Sequence, residues 1–266
     1  MNKYETVKLN TARNALFYII KAFKIQELYM PYYLCPSMRI TAVKANCKLK
    51  FYHIDKQFMP VVDFPLNAFI LYPDYFGVCS FNIELLAPKY TNLIVDNAHA
   101  FFNKPKGIAA FNSLRKFFPQ LRDGAFLYTT KTIDFNIVQD DFEYIPKEMT
   151  FEELCKNENR LDNEKIKYMS ECSYKSFLTL DLSEKREKFI KNFNNNHKKY
   201  KNKNKLKIQI SNETVPYKYP YLFDSEKEAD NFVKEYETQG KIIFRYWNNL
   251  PESYKERDFY TKLAAL

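Results

Sequence analysis

The chain reads as an α/β protein, a mostly parallel sheet with helices on both faces, followed by a small C-terminal α+β domain. Three observations lead there. Short apolar runs alternate with helical patterns over roughly the first 130 residues, and parallel strands need such crossovers. Two of the runs, "AFILYP" and "NLIVD", are apolar almost throughout, as strands buried on both faces are. After about Thr130 the alternation stops and the composition turns polar. The division implied is a large domain over residues 1–148 and a small one over 149–266, with the boundary near Glu148.

From Asn10 to Lys24, Ala12, Ala15, Leu16, Ile19, Ile20 and Phe23 fall at helical spacing, with Asn10 or Thr11 placed to cap the start. "LYMP" is a short strand ended by proline, "SMRITAVKAN" a helix and "KLKFYHID" a partly alternating strand. "AFILYP" follows as a buried strand, "SFNIELLAPKY" as a helix, and "NLIVD" as a strand that ends in an acid. "KTIDFNIVQDDFEYIPKEM" is a polar connection, and "TFEELCKNENRLDNEKIKYMSEC" and "SEKREKFIKNFNNN" have helical patterns. "LKIQI", "KYPYLF", a helix from Ser225 to Thr238 and "KIIFRYW" make up the smaller unit.

With 46% hydrophobic residues and 17% aromatics but only 4 glycines, bulky rings carry much of the core. The net charge of +9 raises nucleic acid as a partner. Much of the excess lies between Lys185 and Lys207, where lysine alternates with asparagine. That is the composition of a solvated helix and loop rather than of an arginine-rich, aromatic-interleaved surface, so nucleic acid is not the expected partner. The 5 cysteines include no CxxC pair, which argues against a zinc site or a disulfide framework. No run reaches the roughly 18 apolar residues needed to span a bilayer. A cytoplasmic protein without a membrane partner or metal is expected.

In sheets of this kind ligands sit beyond the strand C-termini, which singles out Asp96 and the nearby Lys116. A lysine amine can form a Schiff base with an aldehyde cofactor. A buried carboxylate can keep a pyridine nitrogen protonated, and a helix start such as "NTARNAL" can hold a phosphate. Each residue also has a plainer reading: an acid closing a strand caps helices or pairs with cations, and the Arg115–Lys116 couple suits a surface anion site.

Taken together, the motifs resemble the DegT-type sugar aminotransferases, pyridoxal-phosphate (PLP) enzymes of fold type I. "LNTARNAL" is similar to the family's helix start, "LYPDYFG" to its loop ending in glycine, "IVDNAHAFF" to its D-x-A-(Q/H) motif and "FNSLRKFFPQLRDGAFLYT" to its lysine segment. The resemblance implies Lys116 as Schiff-base lysine and proton carrier, Asp96 as partner of the pyridinium nitrogen and His99 as the contact to the ring's phenolic oxygen. It places the cofactor phosphate on the backbone of Ala12 and Arg13, with Ser113 a further candidate by its nearness to the lysine. A stacking aromatic is absent where Cys35 stands, so Tyr32 or Tyr33 supplies it or the stack is missing. Ala12 replaces the family's usual glycine, which requires a backbone there without positive φ. The segment that usually reaches in from the neighbouring subunit is missing after Tyr128.

The function implied is transfer of an amino group from an amino acid to a nucleotide-linked keto sugar in polysaccharide or glycan biosynthesis, by a homodimer. The missing segment motivates the alternative, a PLP- or sugar-nucleotide-binding scaffold or regulator without turnover. Of the remaining candidates, His53 and His197 suit structural or solvated roles, Trp247 suits packing at the domain junction or a pocket wall, and Cys35 suits buried packing.

Overall fold

A computed structural model of the chain describes residues 3–134, 136–141, 150–248 and 250–266. The expected boundary near Glu148 lies outside the described residues.

The N-terminal half builds β1 (Glu5–Leu9), α1 (Ala12–Ala22), β2 (Glu27–Pro31), α2 (Pro36–Lys44), β3 (Lys48–Tyr52), β4 (Ile70–Pro73), α3 (Ser80–Lys89), β5 (Leu93–Asn97), β6 (Ala109–Asn112), a single helical turn α4 (Leu114–Phe117) and β7 (Ala125–Thr129). These strands form one seven-stranded sheet in the order β1-β7-β6-β5-β4-β2-β3. From β3 to β6 the neighbours are parallel, and β7 runs antiparallel to both β6 and β1. The sheet is therefore mostly parallel, as expected. The reversal at β7 has a simple cause: the link from β6 holds only the short turn α4, too little chain to cross the sheet and return in parallel.

Side chains alternate between two cores along the central strands, the period-2 rule of a pleated strand. Leu71, Ile94, Ala109 and Phe111 face α1 and α2. Ile70, Tyr72, Leu93, Val95 and Ala110 face the other way, toward Ile83 and Leu86 of α3 and a large aromatic cluster. All four residues of β4 and all five of β5 are buried, which is why these runs carry no polar alternation.

The C-terminal part contains α5 (Phe151–Asn163), α6 (Glu171–Leu178), α7 (Leu182–Tyr200), β8 (Pro220–Leu222), α8 (Glu226–Thr238), α9 (Arg257–Thr261) and β9 (Leu263–Ala265). β8 and β9 pair antiparallel in a small second sheet. Phe193, Tyr200, Tyr219, Tyr221, Phe223 and Phe259 from this part lie in the same buried cluster as one face of the large sheet. Two expected strands differ: "LKIQI" is irregular, and "KIIFRYW" contributes only the bridge from Phe244 to Ala265. β9, within the closing residues "TKLAAL", takes the place beside β8. β1 was not expected either, because its exposed first residues give it little apolar signal. The lysine tract runs along α7, which turns Phe193 and Tyr200 inward and leaves Lys188, Lys191, Lys198 and Lys199 exposed.

Candidate active site

A cavity of about 330 Å³ opens beyond the C-terminal ends of β4 and β5, within the roughly 300–1,000 Å³ usual for a small-molecule site. Its walls come from the start of α1, the loop before α2, the ends of β4 and β5, the α4 turn and, from the C-terminal part, α5 and Trp247.

The start of α1 is fixed by Thr11, whose side chain accepts a hydrogen bond from the backbone N–H of Asn14. Ala12 is the first helical residue and has no positive φ, so the missing glycine imposes no strain. Asn10 and Asn14 are buried, bonded to each other and to the carbonyl of Lys165, which anchors the turn. The exposed first-turn amides of such a helix attract anions.

Asp96 lies near the end of β5, buried, with its Oδ1 accepting from the N–H of Ala98 at 2.8 Å. Burial raises its pKa from 3.8 to about 6, against the opposing pull of the Ala98 bond and the Lys116 charge. Asp74, just past β4, is a second buried acid on the same wall. Its carboxylate accepts from the Cys79 N–H and from the Asn103 amide, and burial raises its pKa to about 6 as well.

His99 follows β5 in a turn and is 5% exposed. Its ring is stacked with Tyr217 (centroids 5.1 Å apart), Phe76 (5.8 Å) and Trp247 (6.1 Å, nearly parallel). Nδ1 accepts from the Phe76 N–H at 3.3 Å, so in the neutral ring the proton belongs on Nε2. Burial, with Lys116 nearby, holds the imidazole pKa well below its ordinary value. Gly77 makes this packing possible: its φ is +73°, and a Cβ there would sit 2.4 Å from the His99 carbonyl oxygen.

Lys116 projects from α4 with its ammonium nitrogen 5.8 Å from the centre of the Tyr246 ring. Burial pulls its pKa down, partly offset by Cys35 and Asp96. Arg115, next in line, pairs with Glu158 of α5, and Arg13 of α1 pairs with Asp162 of the same helix. One further donor on each guanidinium, Nη2 of Arg13 and Nε of Arg115, is buried without a hydrogen-bond partner. Ser113 is buried on the same wall.

Of the residues expected at the site, Lys116, Asp96, His99, Ala12, Arg13 and Ser113 all line this cavity. Tyr33 does not: it is fully buried in the aromatic core, stacked on Tyr75, with its hydroxyl donating to the Tyr246 carbonyl. Tyr32 packs elsewhere, against Phe51, His53 and Tyr254. Cys35 and Trp247 do line the cavity. His53 pairs with the buried Glu256. Asp74 and the two acids of α5 were not singled out beforehand. Asp74 follows a buried strand much as Asp96 closes one, and that parallel was the available signal. All five cysteines are free, and no metal-binding cluster occurs among the described residues.

No protein-family model matches the sequence, and no curated protein does. Solved structures do match, over nearly the whole chain. A DegT/DnrJ/EryC1/StrS aminotransferase from Brucella abortus superposes with a TM-score of 0.62 at 12% identity, covering 98% of this chain and 80% of that one. The PLP form of the putative sugar aminotransferase Spr1654 from Streptococcus pneumoniae gives 0.63 at 14%, covering 98% and 81%. This is the fold of the DegT-type sugar aminotransferases, fold type I of the PLP enzymes. A third structure with the DegT-type fold, PseC of Helicobacter pylori, an aminotransferase of pseudoaminic acid biosynthesis, gives 0.57 at 12%, covering 98% and 81%.

Proposed function

We propose that the cavity binds PLP and that the chain transfers an amino group from an amino acid to a nucleotide-linked keto sugar. One observation carries the reading: an amine, an acid and a neutral imidazole share a cavity with a helix start and two cations. The residues fit the cofactor chemically. The partnerless buried donors of Arg13 and Arg115, the first amides of α1 and Ser113 suit a phosphate. Asp96 suits a pyridinium N–H, and the Nε2–H of His99 suits a phenolate oxygen.

PLP held there would supply an electron sink for a carbanion on the amine-bearing carbon. Lys116 acts as nucleophile and proton carrier: its lowered pKa leaves more of the amine neutral, and therefore reactive, near pH 7. Asp96 keeps the ring nitrogen protonated. Buried acids need a cationic partner to stay ionised, and the pyridinium would be one. His99, fixed by its stack and by Phe76, donates without carrying charge.

The sugar half of the reading draws on the named activities of the structural neighbours. The nucleotide handle, the amino-acid donor, the homodimer and the glycan pathway draw on the resemblance of the motifs. A second reading, binding without turnover, is favoured by one feature: Cys35 stands where a stacking ring is expected, while Tyr32 and Tyr33 pack elsewhere. The test is to load the protein with PLP, record its visible spectrum, reduce with borohydride and map the labelled peptide. Label on Lys116 is expected; label elsewhere, or none, would overturn the cofactor assignment. Conversion of the bound cofactor to its amine form by any amino acid would remove the binding-only reading.

A further inference from the structure

Resting on the phosphate assignment above, we propose that Glu158 and Asp162 of α5 are an internal competitor for the anion site. They are four residues apart and so share one helix face, and each engages a different guanidinium of the cavity: Glu158 holds Arg115 and Asp162 holds Arg13. The two arginines are largely buried, with side chains 17% exposed, whereas the two acids are 53% and 55% exposed. The cations are thus fixed parts of the site, and the acids are free to swing into water.

The helix itself stays put. Leu161 is buried, and Asn157 donates to the Arg122 carbonyl at 2.6 Å. Arg160 on another face pairs with Asp140 and Glu164, and a capping box of Thr150 and Glu153 closes the N-terminus. A ligand phosphate therefore displaces two side chains and not a helix. Because the carboxylates are tethered, they compete at a fixed and high effective concentration. The guanidinium donors left over, Arg13 Nη2 and Arg115 Nε, show that the carboxylates do not satisfy the arginines fully. A phosphate dianion, which offers more oxygens and also reaches the α1 amides, is the better partner.

The consequence is an affinity threshold: the site charges with a phosphate-bearing ligand only above a concentration set by α5. Calorimetric titration of the full chain with inorganic phosphate tests this, comparing wild type with Glu158→Gln, Asp162→Asn and the double variant. Both acids are exposed, so the amides preserve the fold. Each single change should tighten phosphate binding and the two effects should multiply, to roughly two- to thirtyfold together, since exposed pairs are worth about 0.2–1 kcal/mol each and about 1.4 kcal/mol is tenfold. Acetate, which needs only one pair opened, should gain less from the double change. Glu152→Gln, which removes the same charge from α5 at a residue paired with Lys156, should move phosphate affinity less than either single variant.

Phosphate binding that is unchanged or weaker in the double variant would overturn the proposal, because the acids would then be positioning the arginines. An equal gain from Glu152→Gln would also overturn it, reducing the effect to bulk charge. Borohydride labelling of the same variants with PLP reports on the cofactor reading separately. Tighter phosphate without label on Lys116 would leave the competitor standing and sink the cofactor. Failure of any variant to bind phosphate would sink the competitor, whatever the label shows.

Discussion

Asp96 and Asp74 are two buried acids on one wall, both with pKa values raised to about 6. Between pH 3.8 and 6 the folded form keeps protons that the unfolded chain has lost, so this contribution to stability falls as pH rises through that window. A shift of that size corresponds to about 3 kcal/mol for a single group. Asp96→Asn should therefore match wild type near pH 4 and become progressively more stable than it toward pH 7, by up to about 3 kcal/mol in urea titrations. A difference that does not vary with pH would contradict the raised value. His99 acts in the opposite sense: its pKa is depressed in the folded form, so its contribution is lost as pH falls through 6.5, where the unfolded ring takes up a proton. The role proposed for Lys116 is the easiest to test by removal. Lys116→Ala should abolish borohydride labelling by PLP and lower transamination by several orders of magnitude, measured in single-turnover assays with an amino-acid donor.

At the scale of elements, the site depends on turns that follow strands. Gly77 sits where His99 and Tyr217 come close to the backbone, and Phe76 beside it also has a positive φ of 55°. Gly77→Ala should cost about 3 kcal/mol through strain and overpacking, read by denaturation, and should weaken PLP binding by shifting His99. Thr11→Ala removes the cap of α1 and should cost about 1 kcal/mol, with a parallel loss of phosphate affinity. α1, β4 and β5 were legible in the sequence because their apolar patterns are strong and local, whereas the four-residue lysine turn α4 carries no period of its own and was legible only through the resemblance of its motif. The strand expected at "KIIFRYW" failed because its alternation reflects rings packed against neighbours rather than ladder pairing: Tyr246 and Trp247 lie on His99. Tyr33 was misread for a related reason. Sequence distance from Cys35 says which loop it belongs to but not which way it turns, and the core behind the cavity claims it.

The whole molecule was legible in outline and less so in how its halves meet. The break after Thr130 marks a change of pattern, but the aromatics beyond it close over one face of the large sheet. α5 reaches the cavity through pairs spanning 149 and 43 residues, a long-range pairing that no local spacing announces. With one buried cluster shared by the large sheet and the C-terminal part, unfolding is expected to be a single cooperative transition, coincident by far-UV and near-UV circular dichroism. Two separated transitions would show that the C-terminal part folds independently. The lysines of α7 sit on its outer face, so any affinity for polyanions should be weak and should vanish at moderate salt.

The chain holds a single tryptophan, Trp247, and it lines the cavity with its ring nearly parallel to His99. Indole fluorescence therefore arises beside the cavity and nowhere else. Quenching of that emission would report occupancy without a label and without turnover for a ligand that absorbs in the near-ultraviolet or touches the indole.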